Sequence, residues 1–448
     1  MGKRLEIGKR ILALGIPIII GQLGGIAQQF ADTIMVGNYG NVDLAAAGFV
    51  NQVFMIALFF LLGMSYATTP VVGTAFGSGN KEGIQRSLVD TVVVNFVFSS
   101  IVMAILLLLY FNIGIFDQPK EIVPIAKPYF LVLILSVPFL GIFNALKQFS
   151  DAIGETTIPM WVMIFSNALN IVLNWLLIFG FGHIPSMGLL GAGIATLISR
   201  AAMTIAMCLF LLFHVRYKSF TKQLFSFRPQ INGMKRIVKI GTPICVQLGL
   251  ENSSFNICAI FMGWIGIAPL AAHQIMTTVS TLCFQVIYGI GAAGSVIISQ
   301  YKGRGEIENM RITASTAWHI GFLSTLVMTC LIFFSRHHLI GLFTNDPEIT
   351  TVTLTLLFPF MVYQIGDCTQ IVYANALRGI ESVKKMMFYA FFAYFIISLP
   401  LSYLLAFKFN LGPLGIWSGI PFGLTIAGVL FYFEYKRGLK KMLLSEKM

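Results

Sequence analysis

Charge is scarce in this sequence. Only 11% of its 448 residues are Asp, Glu, Lys or Arg, against about 25% in a soluble globular domain. A chain of this length with so few charges cannot cover itself with a polar surface, which excludes an ordinary water-soluble domain. Acids are the scarcer sign, 18 against 30 Lys and Arg, for a net charge of +12. The six cysteines lie apart in apolar stretches with no CxxC pair; they read as small hydrophobes, neither disulfides nor metal ligands. The six histidines form no HExxH or other ligand spacing, which leaves metal enzymology without a foothold. The paired aspartates or His-Asp motif that a membrane-embedded prenyl or acyl transferase would need are missing too, so no enzyme is expected.

What is abundant is apolar length. Over half the residues are hydrophobic (57%), and the mean hydropathy is +0.82. Crossing a hydrocarbon core takes about 20 apolar residues in a helix. Stretches of that size are Leu88–Phe111, Phe130–Phe149, Ile158–Phe181, Leu189–Phe213, Ile312–Phe334 and Met386–Phe407, with others near 11–36, 44–75, 237–265, 270–300, 350–377 and 414–433. The fold class expected is therefore an all-α integral membrane protein of twelve transmembrane helices. The start, MGKRLEIGKR, leads into an apolar run that continues past a signal-peptide core without a small-residue cleavage site; it is expected to be the first helix of the bundle.

The basic residues orient the bundle. With the N-terminus in the cytoplasm, cytoplasmic segments hold 25 of the 30 Lys and Arg, among them Lys147 and Arg378. The opposite loops hold only Lys120, Lys127, Arg336 and Lys408, and Arg200 lies within a helix. The positive-inside rule then puts both termini in the cytoplasm. The longest cytoplasmic connection is basic, and topology with attraction to anionic lipid explains it better than nucleic acid does.

The chain also repeats itself. At an offset of 226, Gly15 meets Gly241, Pro17 meets Pro243, Gly37 and Gly40 meet Gly263 and Gly266, Gly63 meets Gly289, and Glu155 meets Glu381. A small shift then matches Gly188 and Gly191 with Gly412 and Gly415. Most matches are Gly, Pro and Ala, which let membrane helices approach closely or bend. Two pseudo-symmetric six-helix lobes follow: residues 1–214, a cytoplasmic linker at 215–236, and residues 237–448 with a short basic tail. An even number of helices gives both halves one orientation, related by an axis along the membrane normal.

Three acids fall well inside apolar helices: Asp32, Glu251 and Asp367. A charge at bilayer depth costs at least about 2.5 kcal/mol, so each should face a wet cavity, bind a cation or carry a proton. Their repeat-mates Cys258, Gly25 and Gly141 are neutral, as expected of chemistry added to a duplicated frame. Tyr363, Asp367 and Gln370 share one helical face; Gln247, Asn252 and Asn256 surround Glu251; and Asn167, Asn170 and Asn174 form a polar stripe in the fifth span. Carboxylate, amide and phenol oxygens suit a hard monovalent cation or a proton relay.

Taken together, ADTIMVGNYG with the downstream LAAAG, the GSGN and GRGE loops, LNIVLN before GLLGAGIAT, FTNDPE, and YQIGDCTQIVYANALRG resemble the multidrug and toxic compound extrusion (MATE) family over nearly the whole chain. Glu251 combined with Asp367 and Tyr363 is similar to its NorM-like branch. The resemblance implies a V-shaped pair of lobes with alternating access, and efflux of lipophilic cationic compounds driven by Na⁺ or H⁺ without a cofactor. It implies a cation site of Glu251, Asp367 and Tyr363, and an N-lobe polar or proton site of Asp32, Asn170 and Asn174. Position 174 is Asn where some members carry an acid. Pro17 matches the bend of the family's first helix. The expected setting is a monomer in the cytoplasmic membrane of a prokaryote, with cationic small molecules and membrane lipids as partners and no nucleic acid. The competing readings are a lipid-linked oligosaccharide flippase of the same superfamily and, behind it, a membrane-embedded transferase.

Overall fold

The computed structural model describes residues 2–119, 121–183, 185–221 and 228–445. Twelve helices in it are long and apolar enough to cross a membrane by length and composition. The first six spans are α1 (Gly2–Tyr39), α2 (Asn41–Ser65) continued by α3 (Thr68–Gly77), α4 (Lys81–Phe111), α5 (Val123–Leu135) continued by α6 (Val137–Ala152), α7 (Thr157–Phe179) and α8 (Gly188–Phe213). A short α9 (Val215–Thr221) follows. The second six are α10 (Ile231–Ile265), α11 (Ile267–Arg304), α12 (Ile307–Gly341), α13 (Pro347–Gly379), the span containing α14 (Lys384–Phe391) and α15 (Leu399–Tyr403), and α16 (Gly412–Ser445).

Helix ends follow local chemistry. In the GSGN loop, Gly79 takes φ +71° and the Asn80 side chain accepts from Gly83 N at 2.8 Å, capping α4. In FTNDPE, Asp346 accepts from Glu348 N (2.8 Å) and Ile349 N (3.2 Å), and Pro347 opens α13 where no N–H is needed. Pro138 follows the break between α5 and α6. Around Pro400, the eleventh span relaxes into wider π-type turns at Phe392–Ser398 and Leu404–Lys408.

Glycines set how closely the helices pack. On α16, a Cβ at Gly415, Gly419 or Gly423 would stand 2.5–2.6 Å from Ala406 N, Ser402 N and Ser398 Cβ, so only bare backbone lets the last two spans touch. Gly191, matched to Gly415 by the repeat, is pressed in the same way onto Leu177 O at 2.5 Å. Outward-facing positions carry large apolar side chains such as Phe165, Phe213, Phe334 and Phe358, all at least two-thirds exposed. That is tolerable in lipid and not in water.

The chain forms two compact units: Met1–Ile19 with Val246–Met448, and Ile20–Cys245. The units divide within α1 and α10, while the sequence reading sets its linker at 215–236. Residues 222–227 of that linker lie outside the described residues. The physical reason is an exchange of helix starts. Gly15 and Ile19 of α1 pack on Gly289 of α11, while Gly241 and Cys245 of α10 pack on Met64 and Gly63 of α2. The contacts obey the 226-residue repeat, but each leading helix begins against helices of the other repeat.

Two bases counted in the cytoplasmic segments from sequence are buried by packing. Lys147 pairs with Asp151 at 2.6 Å, one turn away on α6, with both side chains at most 8% exposed. Arg378, at the end of α13, is 5% exposed and points toward the acids described next.

Candidate functional site

In the first unit, α10, α11 and α13 bring Glu251, Tyr363 and Asp367 into one polar cluster. Glu251, half-buried on α10, accepts from Gln247 Nε2 at 2.7 Å and from Gln370 Nε2 at 3.2 Å. Gln370 lies one turn beyond Asp367, so the shared face read from sequence is the one α13 turns toward α10. Tyr363, 3% exposed, accepts from Ser280 Oγ of α11 at 2.8 Å. Its own hydroxyl proton is given to Asp367, its charged neighbour. Phe360 stacks on the phenol ring, and Phe255 and Trp417 meet it edge-on at 6.1 and 6.0 Å. These rings fix the phenol by packing.

Asp367 is 1% exposed, and Glu251 is its charged neighbour. Its Oδ2 is buried without a hydrogen-bond partner, as are Gln370 Oε1 and Gln364 Oε1, and Tyr394, which Gln370 reaches, has Glu251 and Asp367 as its charged neighbours. Native interiors seldom leave so many polar atoms unsatisfied in one place. Oxygens from two carboxylates, an amide and phenols are the donors a hard cation takes, so the residues present fit a Na⁺ ion or a proton.

In the second unit, Asp32 of α1 accepts from Asn174 Nδ2 of α7 and, at 3.4 Å, from Gln28 Nε2. Asn174 also donates to Asn170 Oδ1 at 3.1 Å, and Asn170 reaches Thr196 Oγ1 of α8 at 3.5 Å. Both asparagines are fully buried. Asn174 Oδ1 and Asn167 Nδ2 have no partner, so the stripe in the fifth span is only partly used in structural hydrogen bonds. Asp32, Asn170 and Asn174 thus stand together.

Several members of these clusters escaped the sequence reading. Arg378 Nη2 donates to Gln247 Oε1 at 2.9 Å, which turns the Gln247 amide N–H toward Glu251. A signal existed: Tyr363, Asp367, Gln370, Ala374 and Arg378 follow one another at three- and four-residue steps. Arg200, placed within a helix by sequence, turns inward; it donates to Ser136 Oγ at 2.7 Å, lies 5.0 Å over the Phe54 ring, and is a charged neighbour of Asp32. Tyr129, which donates to Asn51 Oδ1 at 3.1 Å, neighbours the same pair. Ser280 and Trp417 carried no signal, because a serine and a tryptophan in apolar helices are unremarkable until their neighbours are known.

Pro17 lies inside the unbroken α1, two residues before the chain passes from one unit to the other; its mate Pro243 lies two residues before the corresponding point at Cys245 in α10. Each removes one backbone hydrogen bond where the helix changes partners.

The MatE family model matches residues 17–176 and 243–404, one segment in each repeat. The chain is similar to the multidrug resistance protein NorM of Photobacterium profundum, with 27% identity over 430 residues covering 94% of this chain and 93% of that protein. It is also similar to the probable multidrug resistance protein NorM of Shewanella oneidensis, 29% identical over 432 residues, with 96% and 94% covered. Among solved structures, a mutant of the Vibrio cholerae MATE transporter VcmN superposes with a TM-score of 0.90 at 19% identity, covering 98% of this chain and 99% of that one. The eukaryotic MATE transporter AtDTX14 does so with 0.86 at 20%, with 98% and 99% covered.

Proposed function

From the premise that this chain belongs to the MatE family, we propose that it is a multidrug efflux transporter that expels lipophilic cations in exchange for Na⁺ or H⁺. The observation that carries the reading is the pair of neighbouring acids, Glu251 and Asp367, bridged by Gln370 and set among buried oxygens without partners. Two carboxylates close together in a low dielectric cannot both stay ionised cheaply. A bound Na⁺ relieves that repulsion, and so does a proton on one of them. The oxygen-rich surroundings favour Na⁺, with Tyr363 completing the site. A cationic substrate drawn to the same negative charge competes with the ion, or acts through a shared helix movement. Either gives antiport, because each ligand favours a different state of the protein.

In this reading Asp32, Asn170 and Asn174 form a second polar site that supports transport without binding the coupling ion. Pro17 is a hinge at which α1 bends between states. The two six-helix halves act as lobes, and the protein works as a monomer in the cytoplasmic membrane of a prokaryote. Both termini and the linker face the cytoplasm, a placement supported by the basic bias of those segments.

Proteoliposomes loaded with an ethidium-like dye and given separate Na⁺ and H⁺ gradients test the proposal. Dye movement driven by one gradient and not the other supports it and names the ion. Export of lipid-linked oligosaccharide with no movement of any cationic dye would replace it with the flippase reading.

A further inference from the structure

Within the first unit, a cavity of about 720 Å³ opens between the first turns of α12, the last third of α13 and the later half of α16. Its rim is basic. Arg4 of α1, Arg311 of α12 and Lys436 of α16 line it, against a single acid, Glu308, which pairs with Arg311 at 3.6 Å. Its interior is aromatic. Tyr373 and Tyr435 form a buried floor, and Tyr432 stands edge-on to Tyr373 with ring centroids 5.0 Å apart. Lys436 Nζ lies 4.7 Å over the Tyr432 ring, so the ammonium is held at the mouth. On the opposite wall, Trp318 Nε1 donates to Thr369 Oγ1 at 3.1 Å.

Beyond Thr369, α13 presents an exposed apolar strip. Ile365, Val362 and Phe358 follow on α13 at one-turn steps, each 43–74% exposed, flanked by Leu323 and Leu326 of α12, both more than half exposed. One site therefore offers three kinds of surface in sequence: bases at the rim, Trp and Tyr at the neck, and bare hydrocarbon beyond. An isolated phosphate would leave the strip unused, and a lipophilic cation would meet a net positive rim. An amphiphile with an anionic head fits all three.

We propose that this groove binds an anionic glycerophospholipid, its phosphate among Arg4, Arg311 and Lys436 and an acyl chain along the strip. Basic pockets between membrane helices hold anionic head groups in this way, and Trp and Tyr favour the head-group level. The site shares no residue with the acidic cluster and needs only that the helices cross a membrane, so its failure would leave the efflux reading standing.

Tryptophan quenching tests it, since Trp318 reports from the neck of the groove. The full chain is placed in phosphatidylcholine nanodiscs doped with equal fractions of either dibrominated phosphatidylglycerol or dibrominated phosphatidylcholine. The wild type should be quenched several-fold more effectively by the anionic lipid. Trp318→Phe should remove that excess, which assigns it to this groove among the five tryptophans. Arg311→Gln/Lys436→Gln should reduce the preference to near unity, while Trp318 remains quenchable by either lipid at high fraction. Equal quenching by the two lipids in the wild type, or an excess unchanged in the double variant, overturns the proposal. Loss of the excess on adding millimolar inorganic phosphate at constant ionic strength would mark a soluble-anion site and overturn it as well.

Discussion

Replacing Glu251 by Gln removes a charge while leaving the shape and most of the hydrogen bonding. The carboxylate accepts from Gln247 at 2.7 Å and Gln370 at 3.2 Å, and a glutamine oxygen at the same position accepts both. The fold should survive, as should Asp367→Asn, whose carboxylate makes no hydrogen bond through Oδ2. What changes is the hold on the ion. A hydrogen bond or ligand contact to a charged group is worth about 1.5–3 kcal/mol, so each single variant should lower apparent ion affinity about 10- to 150-fold. Independent sites would make the double variant lose about 3–6 kcal/mol. If the two acids share one cation, the second substitution adds little, and the double variant should resemble the worse single one. The assay is dye efflux from proteoliposomes as a function of the imposed ion gradient, with thermal unfolding in detergent as a check on folding. Additive losses would refute the shared site, and wild-type efflux with unchanged ion dependence in the double variant would refute the assignment altogether.

Asn174→Ala removes the donor to Asp32 and Asn170; it should cost about 1–3 kcal/mol in unfolding stability and slow transport, yet leave the ion dependence unchanged, as titrated efflux will show. Gly419→Val puts a Cβ 2.2 Å from Ser402 Oγ and 2.6 Å from its backbone N, so the last two spans must separate. The expected loss is about 1–3 kcal/mol or more, seen as a lowered unfolding temperature, and unchanged stability would show that α16 is free to shift. Lys218→Cys, exposed on α9, should label only from the cytoplasmic side in a background lacking the native cysteines; labelling from outside would invert the topology.

The acids Asp32, Glu251 and Asp367 were legible because charge in an apolar helix is rare enough to stand out without any knowledge of its surroundings. Tyr363 and Gln370 were legible because helical periodicity alone puts them beside Asp367. Arg378 shared that periodicity, but it stands at the end of its span, where a base is ordinarily a topology signal, and only the packing of α10 against α13 turned it inward. Ser280, Trp417 and the inward path of Arg200 depend on which helices are neighbours, and an apolar sequence carries little information about that.

The sequence by itself determined the twelve helices, because hydrophobic length against bilayer thickness is a local property, and it determined the repeat, because glycines and prolines in register keep their spacing. It also marked the residues whose charge had to be accounted for. Only the tertiary structure decided where the two units divide. Gly15, Gly63, Gly241 and Gly289 were matched in sequence as equivalent positions, but equivalence does not say which copy each one touches. The close approaches run from α1 to α11 and from α10 to α2, so each leading helix starts in one unit and ends in the other. A repeat leaves two pairings open, one within each copy and one exchanged between copies, with the same glycine contacts in both; the choice between them is made by non-local packing, to which local sequence periodicity is blind.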